Sequence, residues 1–177
     1  LLRRLALAAA AVVLAAIPAA AQGKTTVILV RHAEKALEGG SDPALSEAGQ
    51  ARARALAAEL ADDSVAAVLV TRFVRTQQTA APLGIAPRVV PVEGAVEAHA
   101  AAVRAAVLAH AGHKVLVVGH SNTVPALVAA LGGPAGITIA DTEYANLFTV
   151  VLEDGKPPVF TRACYGAADP SGPCAAK

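Results

Sequence analysis

Metal-ligand spacings are missing from this chain. Its only cysteines are Cys164 and Cys174, and its five histidines form no His-Glu-x-x-His or comparable set. Two thiols without a nearby histidine are too few for a zinc site. An even pair within Cys164-Tyr165-Gly166 and Gly172-Pro173-Cys174 reads instead as a disulfide that pins a Gly/Pro-rich tail. A charge excess is missing too: 15 Lys+Arg stand against 14 Asp+Glu, so no nucleic-acid surface is expected. There is no internal repeat, and the alanine-rich stretches are helix formers rather than linkers. An uninterrupted apolar run of the about 20 residues that span a bilayer is also absent. The apolar run from Leu5 to Ile17 follows Arg3-Arg4 and closes with Pro18-Ala19-Ala20-Ala21. That order predicts a signal peptide over residues 1–21, export to the periplasm or beyond, and no stable membrane insertion after cleavage. Cleavage removes two arginines, so the formal charge moves from +1 to −1. Residues 22–177 then have the size of a single domain.

Short β-branched and apolar runs are present at Thr25 to Val30, Val65 to Val70 and Lys114 to Val118. They alternate with helical patterns at Ser46 to Leu60, Phe73 to Leu83, Val96 to His110 and Thr123 to Leu131. This alternation predicts an α/β fold, a three-layer α/β/α sandwich with a mostly parallel sheet and helices on both faces. Ser46 suits an N-cap, and Gly132-Gly133-Pro134 a helix stop. Tyr144 to Leu152 and Val159 to Ala163, joined through Glu153-Asp154-Gly155, predict a C-terminal antiparallel hairpin at the sheet edge.

Three separated pieces carry chemistry. Arg31-His32 and Gly119-His120-Ser121-Asn122 each come directly after an apolar run, and Arg75 lies just beyond Thr71-Arg72. Strand ends of this kind are where open α/β sheets gather ligands. Two arginines and two histidines converging there suit a phosphoryl group, because guanidinium forks match phosphate oxygens and an imidazole can attack phosphorus. His32 would be the nucleophile, neutral on one nitrogen and held through the other. Arg31 and Arg75 would bind the phosphoryl oxygens, with Arg72, three residues before Arg75, as an alternative. His120 would add a second donor. Ser121 either touches substrate or, with Asn122 and Thr123, caps the helix from Val124. Gly119 would admit a close approach of backbone or substrate. His99, His110 and His113 read as surface residues.

These pieces together resemble the histidine phosphatase superfamily, the phosphoglycerate mutase-like fold. The matching segments are Val30-Arg31-His32-Ala33-Glu34, Leu45-Ser46-Glu47-Ala48-Gly49-Gln50, Arg75-Thr76-Gln77-Gln78-Thr79-Ala80 and Val118-Gly119-His120-Ser121-Asn122, in family order across roughly residues 25–152. The resemblance implies His32 as the phosphorylated nucleophile, with Arg31, Arg75 and His120 around it. It also implies a carboxylic acid for the leaving group, with Glu93 as candidate, Glu97 close by, and Glu34 and Glu143 as outsiders. Where the family usually has glycine after the first histidine this chain has Ala33, whose methyl would narrow the pocket floor. The long mutase surroundings of Glu93 are missing, and the short connections leave an open site, as in the small phosphohistidine phosphatases of the superfamily.

The expected activity is therefore a phosphatase that needs no metal or other cofactor, acting on phosphomonoesters or phosphohistidine through a phosphohistidine at His32. The alternatives are a phosphoglycerate-mutase-like phosphotransferase and a non-catalytic phosphate-binding protein of the same fold. The expected partner is a phosphorylated substrate, whether glycan, protein or small ester. The oligomeric state is not written in the sequence.

Overall fold

The computed structural model describes residues 23–176, so the predicted signal peptide lies outside the described residues. Six strands run in chain order as β1 (Thr25–Arg31), β2 (Val65–Val70), β3 (Arg88–Val89), β4 (Lys114–Gly119), β5 (Asn146–Leu152) and β6 (Val159–Cys164). Four helices connect them: α1 (Glu47–Glu59), α2 (Val74–Ala80), α3 (Val96–Leu108) and α4 (Val124–Ala130). The sheet order is β3-β2-β4-β1-β5-β6. β1 to β4 are mutually parallel, whereas β5 runs antiparallel to β1 and β6 antiparallel to β5.

Strand alternation makes the three layers. On one face Val27 and Leu29 of β1, Val115 and Val117 of β4 and Phe148 of β5 pack with Val103 and Val107 of α3 and Leu127 and Val128 of α4. On the other, Ile28, Val30, Leu116 and Val118 pack with Leu56 of α1, with Leu60 at its C-cap and with Tyr165 beyond β6. Because successive side chains point to opposite faces, both β1 and β4 must be apolar throughout, as central parallel strands are. The sheet and its terminal hairpin agree with the sequence expectation. The addition is β3, two residues between Pro87 and Pro91 that pair with Leu69 and Val70.

Two glycines are fixed by close approach. A Cβ on Gly49, in the first turn of α1, would lie 2.1 Å from the Glu34 carbonyl oxygen. That oxygen also accepts from Ser46 N at 2.9 Å, while Ser46 Oγ caps the helix at Gly49 N. The segment Leu45 to Gln50 is thus a clamp that docks α1 onto the loop leaving β1. A Cβ on Gly119 would lie 2.9 Å from Thr123 Oγ1 and 3.0 Å from Val124 Cγ2, so the approaching group is the first turn of α4.

Candidate active site

Arg31 and Gly119 are register partners on β1 and β4, and His32 N donates to Gly119 O at 2.9 Å. The two histidines just past these strands therefore emerge side by side, with ring centroids 5.4 Å apart in an edge-on arrangement. Arg31, His32, Arg75, His120 and Ser121 line one cavity of about 410 Å³ at the carboxyl end of the sheet, with Lys35, Phe73 and Asp141 on its walls.

His32 is 5% exposed, and its Nδ1 lies 2.8 Å from Ala33 O. A carbonyl only accepts, so Nδ1 carries the proton and Nε2 keeps its lone pair. Burial, with Arg31 and Arg75 adding to it against the pull of the Ala33 carbonyl, lowers the His32 pKa to about 4. The ring is neutral at physiological pH, the state a nucleophile needs. Burial also lowers His120 to about 3, with the charges of His32 and Arg75 contributing. Thr71 Oγ1, at the end of β2, meets His120 Nε2 at 3.1 Å and leaves Nδ1 as the uncommitted ring nitrogen.

The two arginines are held without being satisfied. Arg31 Nη1 donates to the carbonyls of Ala140, Asp141 and Glu143 at 2.9–3.0 Å, and its guanidinium lies 4.1 Å over the Tyr144 ring. Arg75 lies 4.3 Å over Phe73 and 3.5 Å from Asp42. Burial, aided by Arg31 and opposed by Asp42, lowers the Arg75 pKa. The Nε–H groups of both arginines are buried without a protein partner. Orphaned buried donors are costly, and an anion in the cavity is the group that would accept from them.

The segment from Arg75 to Thr79 ties this arrangement together. Thr79 Oγ1 accepts from Ala33 N at 2.9 Å and donates to Arg75 O, Gln78 Oε1 accepts from Leu45 N, and Thr76 Oγ1 donates to Phe73 O at 2.8 Å. Phe73 has no side-chain acceptor for the start of α2, so Asp42 supplies one to Val74 N at 3.0 Å.

Several sequence expectations change. His99 is 3% exposed, not a surface residue, because α3 turns it inward to Pro91 O at 3.0 Å. Ala33 packs with Leu45 and Ala53 and is not among the residues lining the cavity, so its methyl does not narrow the pocket floor. Ser121 lies in the cavity wall and makes no cap; Thr123 stands at the cap position of α4 and its Oγ1 turns back to accept from His120 N. Arg72 is exposed, 5.4 Å over Phe73, and outside the cavity lining. Glu93 and Glu97 are exposed, and only Val92 of that loop reaches the cavity. Glu34 is bound by Arg52, and the Glu143 carboxylate is near Asn146 and Arg162. Thr71, Phe73, Tyr144, Asp42 and Arg52 escaped sequence reasoning; Thr71 alone carried a signal, its place at a strand end. Among the described residues no three His, Cys, Asp or Glu side chains cluster as a metal site, and no helix is long and apolar enough to cross a membrane. Cys164 and Cys174 form the expected disulfide, a bond that belongs to oxidising compartments.

Residues 27–99 match the family model of the histidine phosphatase superfamily (branch 1). The match covers β1 to the start of α3, while His120 lies beyond it. Among solved structures, the protein histidine phosphatase SixA complexed with tungstate shares 24% identity at a TM-score of 0.62, covering 78% of this chain and 96% of that one. Phosphoglycerate mutase from Bacillus anthracis shares 15% at 0.56, covering 81% and 93%. Phosphoserine phosphatase from Entamoeba histolytica in complex with phosphoserine shares 14% at 0.56, covering 77% and 95%. These likenesses show a shared fold over about four fifths of the chain. No curated protein matches the chain in sequence.

Proposed function

We propose that this protein is a metal-independent phosphatase that hydrolyses phosphomonoesters or phosphohistidine through a covalent phosphohistidine on His32. The observation that carries this reading is the state of His32: neutral, its Nδ1–H given to Ala33 O, its Nε2 free, beside two arginines whose buried Nε–H groups lack partners. Nε2 attacks phosphorus as the ester bond breaks. Arg31 and Arg75 neutralise the equatorial oxygens, and His120 donates through Nδ1 when Thr71 supplies the hydrogen to Nε2. Water then attacks the phosphoimidazole and releases phosphate. The phosphatase neighbours in fold, SixA and the phosphoserine phosphatase, support hydrolysis.

Export after loss of residues 1–21, leaving one domain in the periplasm or outside the cell, accords with the disulfide. The shallow cleft, which no long insertion covers, favours a phosphate that protrudes from a protein or glycan. A compact metabolite cleaved far faster than any macromolecular phosphate would reject that preference. The test of the reaction is phosphate release from an aryl phosphate in chelator by the protein and by its His32→Ala variant. Release by the first alone, with an acid-labile phosphorylated protein trapped on rapid quenching, is the expected result. Release that chelator abolishes, or that survives in the variant, would reject the reading.

A further inference from the structure

A phosphoester whose leaving group is an alcohol needs a proton at the departing oxygen, and His32 with its two arginines supplies none. The carboxylates near the cleft differ in what they are doing. Glu34 accepts from Arg52 through both oxygens at 2.8–3.0 Å. Asp42 accepts from Val74 N and faces Arg75. The Glu143 carboxylate is near Asn146 at 3.3 Å and Arg162 at 3.7 Å. Asp169 accepts from the backbone of Tyr144 and Ala145. Glu93 lies outside the cavity lining.

Asp141 stands apart from all of these. It is the one acidic residue that lines the cavity of His32 and the two arginines, and among the described residues its carboxylate has no hydrogen bond or ion pair. It also borders an adjoining depression of about 370 Å³ walled by Thr142, Tyr144 and Ala168. A residue shared by both depressions would lie within reach of a leaving group seated in the second while the phosphoryl group occupies the first. Its backbone is fixed there, because Asp141 O accepts from Arg31 Nη1 at 3.0 Å. The arginine that would bind the phosphate thereby holds the backbone of residue 141 beside it.

Resting on the phosphatase reading, we propose that Asp141 is the proton donor for the leaving group. As His32 Nε2 bonds to phosphorus and the ester P–O bond breaks, the leaving oxygen takes the proton of the Asp141 carboxyl and departs as the alcohol. Water then attacks phosphorus as the N–P bond breaks, phosphate and neutral His32 are released, and the Asp141 carboxylate regains its proton from solvent.

The test compares p-nitrophenyl phosphate, whose leaving group departs without help, with phosphoserine, whose alkoxide does not. Asp141→Asn is expected to lose roughly 10²–10³-fold in kcat on phosphoserine, the range of general acid catalysis, and less than about fivefold on p-nitrophenyl phosphate. Arg31 meets the backbone of residue 141, so phosphate site and fold should persist, which a thermal shift with tungstate will register. Equal losses on both substrates, no loss on phosphoserine, or the leaving-group-selective loss appearing in Glu93→Gln instead would overturn the assignment. An unmodified protein that turns over neither substrate would reject the phosphatase reading itself, and the assignment with it; that failure is read without any variant.

Discussion

Arg52 and Arg75 each face a carboxylate from the loop leaving β1, yet the two regions they form are opposites. Arg52, 4% exposed, spends its donors on Glu34, on the carbonyls of Tyr165 and Ala167, and on a longer contact to Asp169 at 3.7 Å. Burial works against its charge, but the bonds and charges of Glu34, with smaller help from Asp169, outweigh that and raise its pKa. Arg75 has one distant contact to a partly exposed Asp42, and its Nε–H is buried with no partner. A cation whose donors are all used is holding the chain together. A cation kept with donors unused is waiting for something outside the chain. The scarce aromatics mark the same division: of five in the sequence, Phe73 and Tyr144 lie closest against the two unsatisfied arginines, fixing their planes without consuming their hydrogen bonds.

Exchanging the two losses gives the sharpest contrast. Arg75→Ala is expected to cut kcat/KM by about 10³-fold, the scale of a transition-state arginine, and to leave the melting temperature nearly unchanged. It should also abolish stabilisation by phosphate or tungstate. Arg52→Ala should do the reverse, costing about 3–5 kcal/mol because Glu34 and Asp169 lose their cation. Steady-state kinetics with paired denaturant titrations decide this. If Arg75→Ala unfolds the protein as readily as Arg52→Ala, the division between holding and waiting is wrong.

Acid should wear down the cleft. His32 has a pKa of about 4 folded against an ordinary 6.5, so between those values the unfolded chain binds a proton that the folded chain refuses. Its contribution is fully present above pH 6.5 and is lost as pH falls toward 4, about 3 kcal/mol in all. Denaturant titrations at pH 7 and 4.5 should show this loss in the unmodified protein and a smaller one in His32→Gln. Identical losses would mean that His32 titrates normally.

The sequence already held whatever depends on period and spacing. Apolar runs placed β1, β2 and β4, and their ends placed His32 and His120 together, since parallel strands in register deliver the residues after them to one edge. The motif residues of α1 and α2 were visible, but their work was not: Gly49 as the clamp on Glu34, and Thr79 and Gln78 as ties to Ala33 and Leu45, depend on contacts across the fold. The two-residue β3 has no period to read. His99 looked exposed because an alanine-rich helix shows little apolar contrast to say which face turns inward. Tyr144 and Arg52 act on β1 from more than a hundred residues downstream and from a separate helix, distances over which no local pattern extends.

The disulfide offers the mildest way to disturb the comparison, because the tail it closes touches both regions. Cys164 and Cys174 are ten residues apart, and the segment between them carries Asp169. That carboxylate accepts from Tyr144 N at 2.9 Å and from Ala145 N at 3.1 Å, and it also lies by Arg52. Tyr144 in turn lies under Arg31. Opening the loop with Cys164→Ser and Cys174→Ser together should cost about 2–3 kcal/mol through the unfolded chain. It should also raise KM a fewfold as the Tyr144 backbone loosens, with kcat held, because His32 and Arg75 do not depend on the tail. A fall in kcat with KM unchanged would place the tail in the chemistry; a stability loss with both constants unchanged would confine it to the Arg52 side.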